Sequence, residues 1–154
     1  MQKYDIIKGI TMKKNIILIS IAIIIISIVG INYMAYQKQY EESVKYNLEF
    51  EKNFQKEIYG IDLTTVINRV INNNEKNNVE IGQDKKYINN NIDSIRIDIM
   101  MKDTNEVYPM EIIYNGGIEQ FVQYYSSIKF KCTKIEYHKK TGKVCYLYFE
   151  QISE

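Results

Sequence analysis

Residues 16–31 read IILISIAIIIISIVGI, sixteen consecutive positions without a charged side chain. Asn32 to Tyr36 extend this uncharged stretch, and the next charge is Lys38. A helix over Ile16 to Tyr36 would rise roughly 30 Å, which is the thickness of the hydrocarbon core of a bilayer. Tyr33 and Tyr36 would then lie among the lipid headgroups, where tyrosine is favoured. The sequence therefore predicts one membrane-spanning helix from Ile16 to Tyr36, whose partner is membrane lipid.

A buried core helix and a cleaved signal peptide are the alternatives to a membrane span. The core helix is disfavoured, because the rest of the chain is too small to cover a helix that is apolar all round. The signal peptide is the closer rival, since Met12-Lys13-Lys14 before an apolar run is typical of a secretory start and Met12 is an alternative initiator. However, no paired small residues mark a cut near Gly30 or Ala35, and no cysteine follows to accept a lipid. We expect an uncleaved anchor.

The lysine distribution indicates the orientation of the anchor. Four lysines precede the span, whereas the first two that follow it lie near Glu41 and Glu42; these six are Lys3, Lys8, Lys13, Lys14, Lys38 and Lys45. The positive-inside rule then places residues 1–15 in the cytoplasm and everything after Tyr36 outside the cytoplasmic membrane.

Bulk composition limits the size and the partners of the region after the anchor. The chain has 154 residues and a formal net charge of +1, which leaves about a hundred residues for one modest core and no global field to attract nucleic acid. Only two cysteines occur, so a disulfide-dense scaffold is excluded. We expect a single small domain with a hydrophobic core and no nucleic-acid partner.

Apolar side chains continue beyond the span at helical spacing. Tyr36, Tyr40, Val44 and Leu48 recur every four residues among Glu, Lys and Gln, and the helical spacing continues to Glu51 with Phe50, Phe54 and Ile58 nearby. This pattern predicts an amphipathic stem over residues 37–59 that stops at Gly60. The stem would pack either on its own domain or on a neighbouring copy of the chain, and both remain open.

Residues 60–154 show the signals of a small α+β domain. Asp62 is a candidate N-cap for a helix whose apolar stripe ends at Asn72-Asn73-Asn74, and residues 72–91 indicate a polar, mobile loop. The stripe comprises Leu63, Val66, Ile67, Val70 and Ile71.

Strand signals dominate the second half of the domain. Ile95, Ile97, Ile99 and Met101 alternate with more polar residues, which predicts a half-buried strand, and Pro109 confines Val107-Tyr108 to a sheet edge. A short helix is predicted on the face of Ile118, Phe121, Val122 and Tyr125. Residues 128–137 and 144–149 predict a C-terminal β-hairpin. The order of these predicted helices and strands favours a fold in which helices pack on an antiparallel sheet.

No residue pattern carries recognisable chemistry. His138 is the only histidine and has no carboxylate or cysteine at metal-ligand spacing, and Gly116-Gly117 lacks the pattern of a phosphate loop. Asp93, Asp98 and Asp103 are spaced so that they point to different places. We therefore expect a protein that is not an enzyme, with no catalytic, cofactor-binding or metal-binding residues and no small-molecule substrate.

The predicted hairpin also bears on whether the two cysteines form a disulfide and on the role of a group of lysines. Its register leaves Cys132 roughly 13 Å farther along than Cys145 needs for a disulfide, so both are expected to be packing residues on one face with Phe130, Leu147 and Phe149. The lysines, interleaved with tyrosines 137, 146 and 148, suit either an anionic lipid, wall polymer or nucleic acid, or a solvated hairpin whose charges prevent edge-to-edge aggregation; we favour the second. They are Lys129, Lys131, Lys134, Lys139, Lys140 and Lys143.

Two partial resemblances accompany these patterns. The order of apolar helix, stem and C-terminal strands, with Lys8-Gly9-Ile10-Thr11, resembles type IV pilins and pseudopilins, although Lys13 and Lys14 stand where that family continues an apolar run containing Glu. The segment 46–51 with Tyr59-Gly60, Val66-Ile67-Asn68 and Asn73-Asn74 is similar to uncharacterised single-span proteins of low-GC Gram-positive bacteria. The first implies a subunit of an envelope filament or secretion apparatus; the second implies no activity.

The sequence supports three functional hypotheses. The first is a bacterial single-pass protein that presents a non-catalytic domain for protein or envelope interaction, with protein binding or self-association through the stem. The second is a pilin-like subunit. The third, which we favour least, is an enzyme whose site has no recognisable motif.

Overall fold

A computed structural model describes residues 2–152, with side chains from Lys13 to Ile152. The first helix, α1, covers Gln2–Glu51. Contacts within the chain divide it between Tyr40 and Glu41 into two compact units. The predicted features at Lys3, Lys8 and Gly9 lie outside the residues whose side chains the structure describes.

The first unit holds the predicted span. Among the described residues, α1 is the one helix that is long and apolar enough to cross a membrane, and none of its apolar stretch is buried. Large apolar side chains there are exposed by between 48 % at Ile21 and 72 % at Met34. Ser20 and Ser27 donate hydrogen bonds to the carbonyls of Ile16 and Ile23 at 2.9 and 2.8 Å, so neither hydroxyl interrupts the helix. This stretch is not a core helix of the described fold.

The second unit is an α+β domain, as predicted. Strand β5 lies in the middle of a five-stranded sheet of order β1-β4-β5-β2-β3, and helices α2, α3 and α4 contact the sheet or one another. The elements are β1 (Glu57–Tyr59), α2 (Gly60–Lys76), β2 (Arg96–Met101), β3 (Glu106–Pro109), α3 (Met110–Gly116), α4 (Ile118–Tyr125), β4 (Lys129–Tyr137) and β5 (Val144–Gln151).

The sheet is mixed and not purely antiparallel. The predicted hairpin of β4 and β5 forms, and β3 lies at an edge as Pro109 requires. However, β2 and β5 pair in parallel, with Ile97 beside Leu147 and Ile99 beside Phe149. A parallel pair needs a long crossover, which β3, α3, α4 and β4 provide between Met101 and Val144. The prediction of an antiparallel sheet is therefore wrong for this central pair.

The hydrophobic core lies between the sheet and α2. The alternating residues of β2, Ile97, Ile99 and Met101, are buried together with Ile95, and the predicted stripe of α2 is buried against them. Phe130, Leu147 and Phe149 complete the sheet side of the same cluster. The side chains that alternate with them, including Asp98, Tyr146 and Tyr148, lie on the other face and are only partly buried.

The stem is shorter than predicted, because α1 ends at Glu51 and not at Tyr59. The next residues form a turn and the edge strand β1, whose Ile58 pairs with Phe130. Gly60 does not stop the stem but begins α2, and the cap position is Tyr59, so Asp62 lies in the first turn and is not the N-cap.

The face of the stem that packs also differs from the predicted stripe. Phe50, which belongs to the predicted pattern beside that stripe, is buried together with Ser43, whereas Val44 and Leu48 stay 40 % and 60 % exposed. The helix therefore packs on its own domain through residues 43, 46, 47 and 50. The predicted stripe remains on the surface.

The asparagine run does not end α2, which continues to Lys76. Asn74 is buried, and its amide donates to the Ile95 carbonyl at 2.8 Å and accepts from the Ile95 N–H at 2.9 Å. One side chain thus joins the end of α2 to the start of β2. This pairing explains how the polar side chain of Asn74 is buried at the end of the helix without an unsatisfied hydrogen-bonding group.

We predict that Gly60→Ala lowers the free energy of unfolding by roughly 1–3 kcal/mol, because the added methyl overpacks a rigid contact. A Cβ at Gly60 would lie 1.9 Å from the carbonyl oxygen of Tyr125, which is backbone and cannot rotate away. Urea unfolding of the full chain in detergent measures the effect. Gly116→Ala is the matched control, since nothing lies within 4 Å of its Cβ position. Equal stability of the two variants would contradict this close approach.

Candidate functional site: the tyrosine groove at the distal end

The strand directions give the domain two distinct ends. Because β2 and β5 are parallel and β4 is antiparallel to β5, the starts of β2 and β5 meet the end of β4. We call this the tether end, formed by Asn47, Ile95 and residues 138–144. The opposite end, formed by residues 101–106, 125–129 and Gln151, is called the distal end.

The last turns of α1 are fastened to the tether end. The Asn47 amide donates to the Gly142 carbonyl and accepts from the Val144 N–H, both at 2.8 Å. The Tyr137 hydroxyl donates to Glu51 at 2.8 Å, and burial and then this carboxylate raise the pKa of Tyr137 to about 12. The chain therefore enters the domain beside the β4–β5 turn.

A groove lined by apolar and tyrosine side chains reaches the distal end. It lies between α3, α4 and the β2–β3 turn, with a volume of about 330 Å³, and shares Tyr124 and Tyr125 with an adjoining hollow of about 550 Å³. We call the two together the tyrosine groove. Its wall includes Ile112, which is 53 % exposed, and Tyr124, which is 66 % exposed. Its other principal lining residues are Met101, Tyr108, Ile113, Phe121 and Ile128.

Carboxylates hold the groove tyrosines in place. The Tyr125 hydroxyl donates to Asp103 at 2.9 Å, and the Tyr108 hydroxyl donates to Glu106 at 2.7 Å. Burial, followed by the bond to Asp103, raises the pKa of Tyr125. Gly117, with φ of +99°, separates α3 from α4 and so sets the two helices that flank the groove. The arrangement can bind apolar groups beside hydrogen-bonding hydroxyls, and aromatic residues of this kind are enriched at protein interfaces.

Sequence reasoning did not find this groove. It predicted α4 with Phe121 and Tyr125 on the packed face, which the structure confirms, but it did not predict α3. The available signal was the density of large side chains over residues 108–125, in which Tyr124 lies off the packed face of α4.

Most of the basic character of the hairpin is neutralised by nearby carboxylates. Lys129 pairs with Glu57 at 3.0 Å, Lys134 with Glu136 at 2.5 Å and Lys143 with Asp93 at 2.6 Å. Lys131 lies in register opposite Glu150. The strands therefore present mixed charge, which favours the solvated interpretation over a broad polyanion-binding face.

His138 and the three aspartates singled out in the sequence make hydrogen bonds or ion pairs within the fold. His138 is buried, its Nε2 lies 2.8 Å from the Ser94 carbonyl, and its backbone N–H donates to the Lys143 carbonyl at 2.8 Å. Asp93 pairs with Lys143, Asp98 accepts from Tyr146 and Asp103 accepts from Tyr125, so the three aspartates lie apart as predicted. Between Lys13 and Ile152 no group of three or more His, Cys, Asp or Glu side chains is placed to hold a metal ion.

Both cysteines are free, and they lie at different depths. Cys132 pairs in register with Phe149, four positions along β5 from Cys145, as the predicted register requires. Cys132 is buried in the core, whereas Cys145 is partly exposed beside Arg96 and Tyr146. The prediction that both pack on one core face is therefore wrong for Cys145, because the sheet register shifts at Glu136 and Tyr137 opposite it.

Comparison with protein families, with curated proteins and with solved structures gives no match to this chain. Its function must therefore be inferred from its own residues.

We predict that iodoacetamide at pH 8 alkylates Cys145 slowly and leaves Cys132 unmodified until the domain unfolds. Burial raises the pKa of Cys132 to about 11 and also raises that of Cys145, so little thiolate is present at either site. Peptide mass spectrometry with and without urea measures both rates, and urea-unfolded chain is the control. An intramolecular disulfide between the two, or faster modification of Cys132, would show that the strand register is wrong.

Proposed function

We propose that this chain is a single-pass membrane-anchored protein that presents a small non-catalytic α+β domain outside the bacterial cytoplasmic membrane for interaction with a protein or with the envelope. The observation that carries the proposal is the separation of the two ends of the domain. The chain enters at the tether end through Asn47, and the tyrosine groove reaches the distal end.

The anchor is supported by the exposure of α1. Its uncharged stretch from Ile16 to Tyr36 is not covered within the described chain, and its two serines are satisfied by the helix itself. Lipid is the solvent that such a surface fits. The excess of lysines before the span supports an N-terminus in the cytoplasm and a domain outside.

The tyrosine groove supports a protein partner. Tyr124 and Ile112 place apolar area at the surface, while the hydroxyls of Tyr108 and Tyr125 are already bonded to carboxylates. The lining residues of the groove include no histidine or cysteine, and their one carboxylate, Asp103, already accepts a hydrogen bond from Tyr125 at 2.9 Å. Recognition is therefore a better account of this site than catalysis.

The stem leaves room for self-association as a second contact. Val44 and Leu48 remain exposed after α1 has packed on its own domain. They lie one helical turn apart, so they form a narrow apolar strip on which a neighbouring chain in the same membrane would pack.

A pilin-like subunit is the second candidate function. The observation that favours it is the single helix Gln2–Glu51, whose last turns pack on a sheet-containing domain. Cleavage after Gly9 would accompany such a function, and the intact mass of the chain recovered from membranes distinguishes the two candidates. An uncut N-terminus supports the anchor, whereas a chain beginning at Ile10 selects the pilin-like subunit.

We expect a photo-crosslinking phenylalanine analogue at Tyr124 to form adducts with a protein partner in living cells. The same analogue at Tyr59 is the matched control, because that side chain is 48 % exposed but lies on the edge strand β1, outside the groove. Denaturing gels would show a discrete band of higher mass for position 124 and none for position 59. Absence of adducts at 124, or equal adducts at both positions, would contradict a partner in the tyrosine groove.

A further inference from the structure

The β4–β5 turn carries two lysines, Lys139 and Lys140, that form no ion pair within residues 13–152. We propose that Lys139 and Lys140 bind the anionic headgroups of the membrane that anchors the chain, and so hold the domain against the bilayer surface. This inference rests on the proposed function, since it requires the anchor.

The two lysines are free to bind an anion. Both side chains are exposed, and within residues 13–152 neither has an ion pair or side-chain hydrogen bond. By contrast, Lys143 in the same turn is held by Asp93 at 2.6 Å, with its ammonium 5.5 Å from the Tyr46 ring centre. The positive charge of the turn is therefore concentrated at its tip.

The turn is also fixed in shape. The His138 backbone N–H donates to Lys143 and the Gly142 N–H donates to His138, both at 2.8 Å, while the Thr141 hydroxyl donates to the Ile92 carbonyl at 3.0 Å. The backbone that carries the two lysines is thus ordered before any lipid binds. Binding then costs only the side-chain freedom of the lysines.

Chain length limits how far this turn can lie from a membrane that the helix spans. Asn47 is bonded to Gly142, and it lies eleven residues (47 − 36) after Tyr36, the end of the predicted span. Eleven residues cover roughly 16 Å as a helix. The headgroup layer takes up roughly 5–7 Å of that distance, and the field of an anionic surface extends about 8 Å further at physiological salt. A long lysine side chain spans what remains.

The expected strength can be derived from general membrane electrostatics. Each lysine close to an anionic surface strengthens binding by about fivefold, so the pair would contribute roughly 25-fold. The two lysines need no high affinity of their own, because the anchor already holds the domain at a high effective concentration of lipid headgroups. Lipid binding by the two lysines is compatible with a domain on either side of the membrane, since it requires only proximity and negative charge.

Hydrogen exchange of the full chain in lipid nanodiscs tests the proposal. Exchange of the amides of residues 138–143 is measured in nanodiscs of phosphatidylcholine alone and with about 30 to 40 % phosphatidylglycerol, on the order of natural anionic surfaces. We expect the turn to exchange several-fold more slowly in the anionic discs. The internal control is the Lys102–Glu106 turn at the distal end, which should exchange equally in both.

The variant K139Q/K140Q separates lipid binding from a structural role. If the lysines bind lipid, the variant loses the difference between the two nanodiscs, and about 0.5 M salt abolishes it in the natural chain. If the lysines only stabilise the turn, the variant exchanges faster in both discs and the natural chain shows no lipid dependence, which overturns the proposal. Co-flotation with vesicles is scored alongside: a chain that fails to float overturns the anchor itself, whereas a floating chain with an unprotected turn overturns this inference alone.

Discussion

The hydrophobic effect on one uninterrupted stretch of α1 is the constraint on which the rest of the structure depends. Twelve of the sixteen residues from Ile16 to Ile31 are Ile, Leu or Val. Burying such side chains away from water is worth about 1.5–3 kcal/mol each, so the stretch contributes on the order of 20 kcal/mol. A domain of this size is stable by only about 5–15 kcal/mol. Burial of this stretch in lipid would therefore outweigh the net stability of the folded domain.

The domain is arranged around the point at which the chain enters it. Asn47 and Asn74 are both asparagines that bond one N–H and one carbonyl of the backbone, at Val144 and Gly142 in one case and at Ile95 in the other. Both act at the tether end, where the parallel strands β2 and β5 begin. The tyrosine groove and the acidic residues that hold it lie toward the opposite end. The point at which the chain enters the domain and the tyrosine groove therefore lie toward opposite ends of it.

Strong local periodicity was sufficient to predict the α2 stripe, β2, α4 and the C-terminal hairpin. In each of these, core-facing side chains recur at the spacing of one helix or strand, so the local pattern and the final packing agree. The uncharged run was sufficient to predict the helix over Ile16 to Tyr36, whose side chains lie outside the core. Elements of three or seven residues, β1 and α3, are too short to show a period. The parallel pairing of β2 with β5 depends on a crossover of about forty residues (144 − 101 = 43), which no local pattern reports.

The errors at the stem and the groove have specific physical causes. Tyr40, Val44 and Leu48 repeat more regularly than Ser43, Asn47 and Phe50, yet the second set packs because Asn47 satisfies two backbone groups of the hairpin. Similarly, Gly60 is typical of a helix stop, but the close approach of Tyr125 requires it at a helix start. The tyrosine groove is assembled from α3, α4 and the β2–β3 turn, and only tertiary structure brings these together.

Alkaline carbonate extraction combined with protease treatment of intact spheroplasts tests the membrane anchor and its orientation together. A single-pass anchor with an outside domain predicts that the full chain stays in the membrane pellet at pH 11, and that protease added outside removes the domain while leaving a fragment that contains residues 16–36. Replacing Ile23, Ile24 and Ile25 by lysine should release the chain, because charges at the middle of a span are costly. A natural chain that is extracted into the soluble fraction, or a domain that is protected from protease until the spheroplasts are lysed, would contradict it.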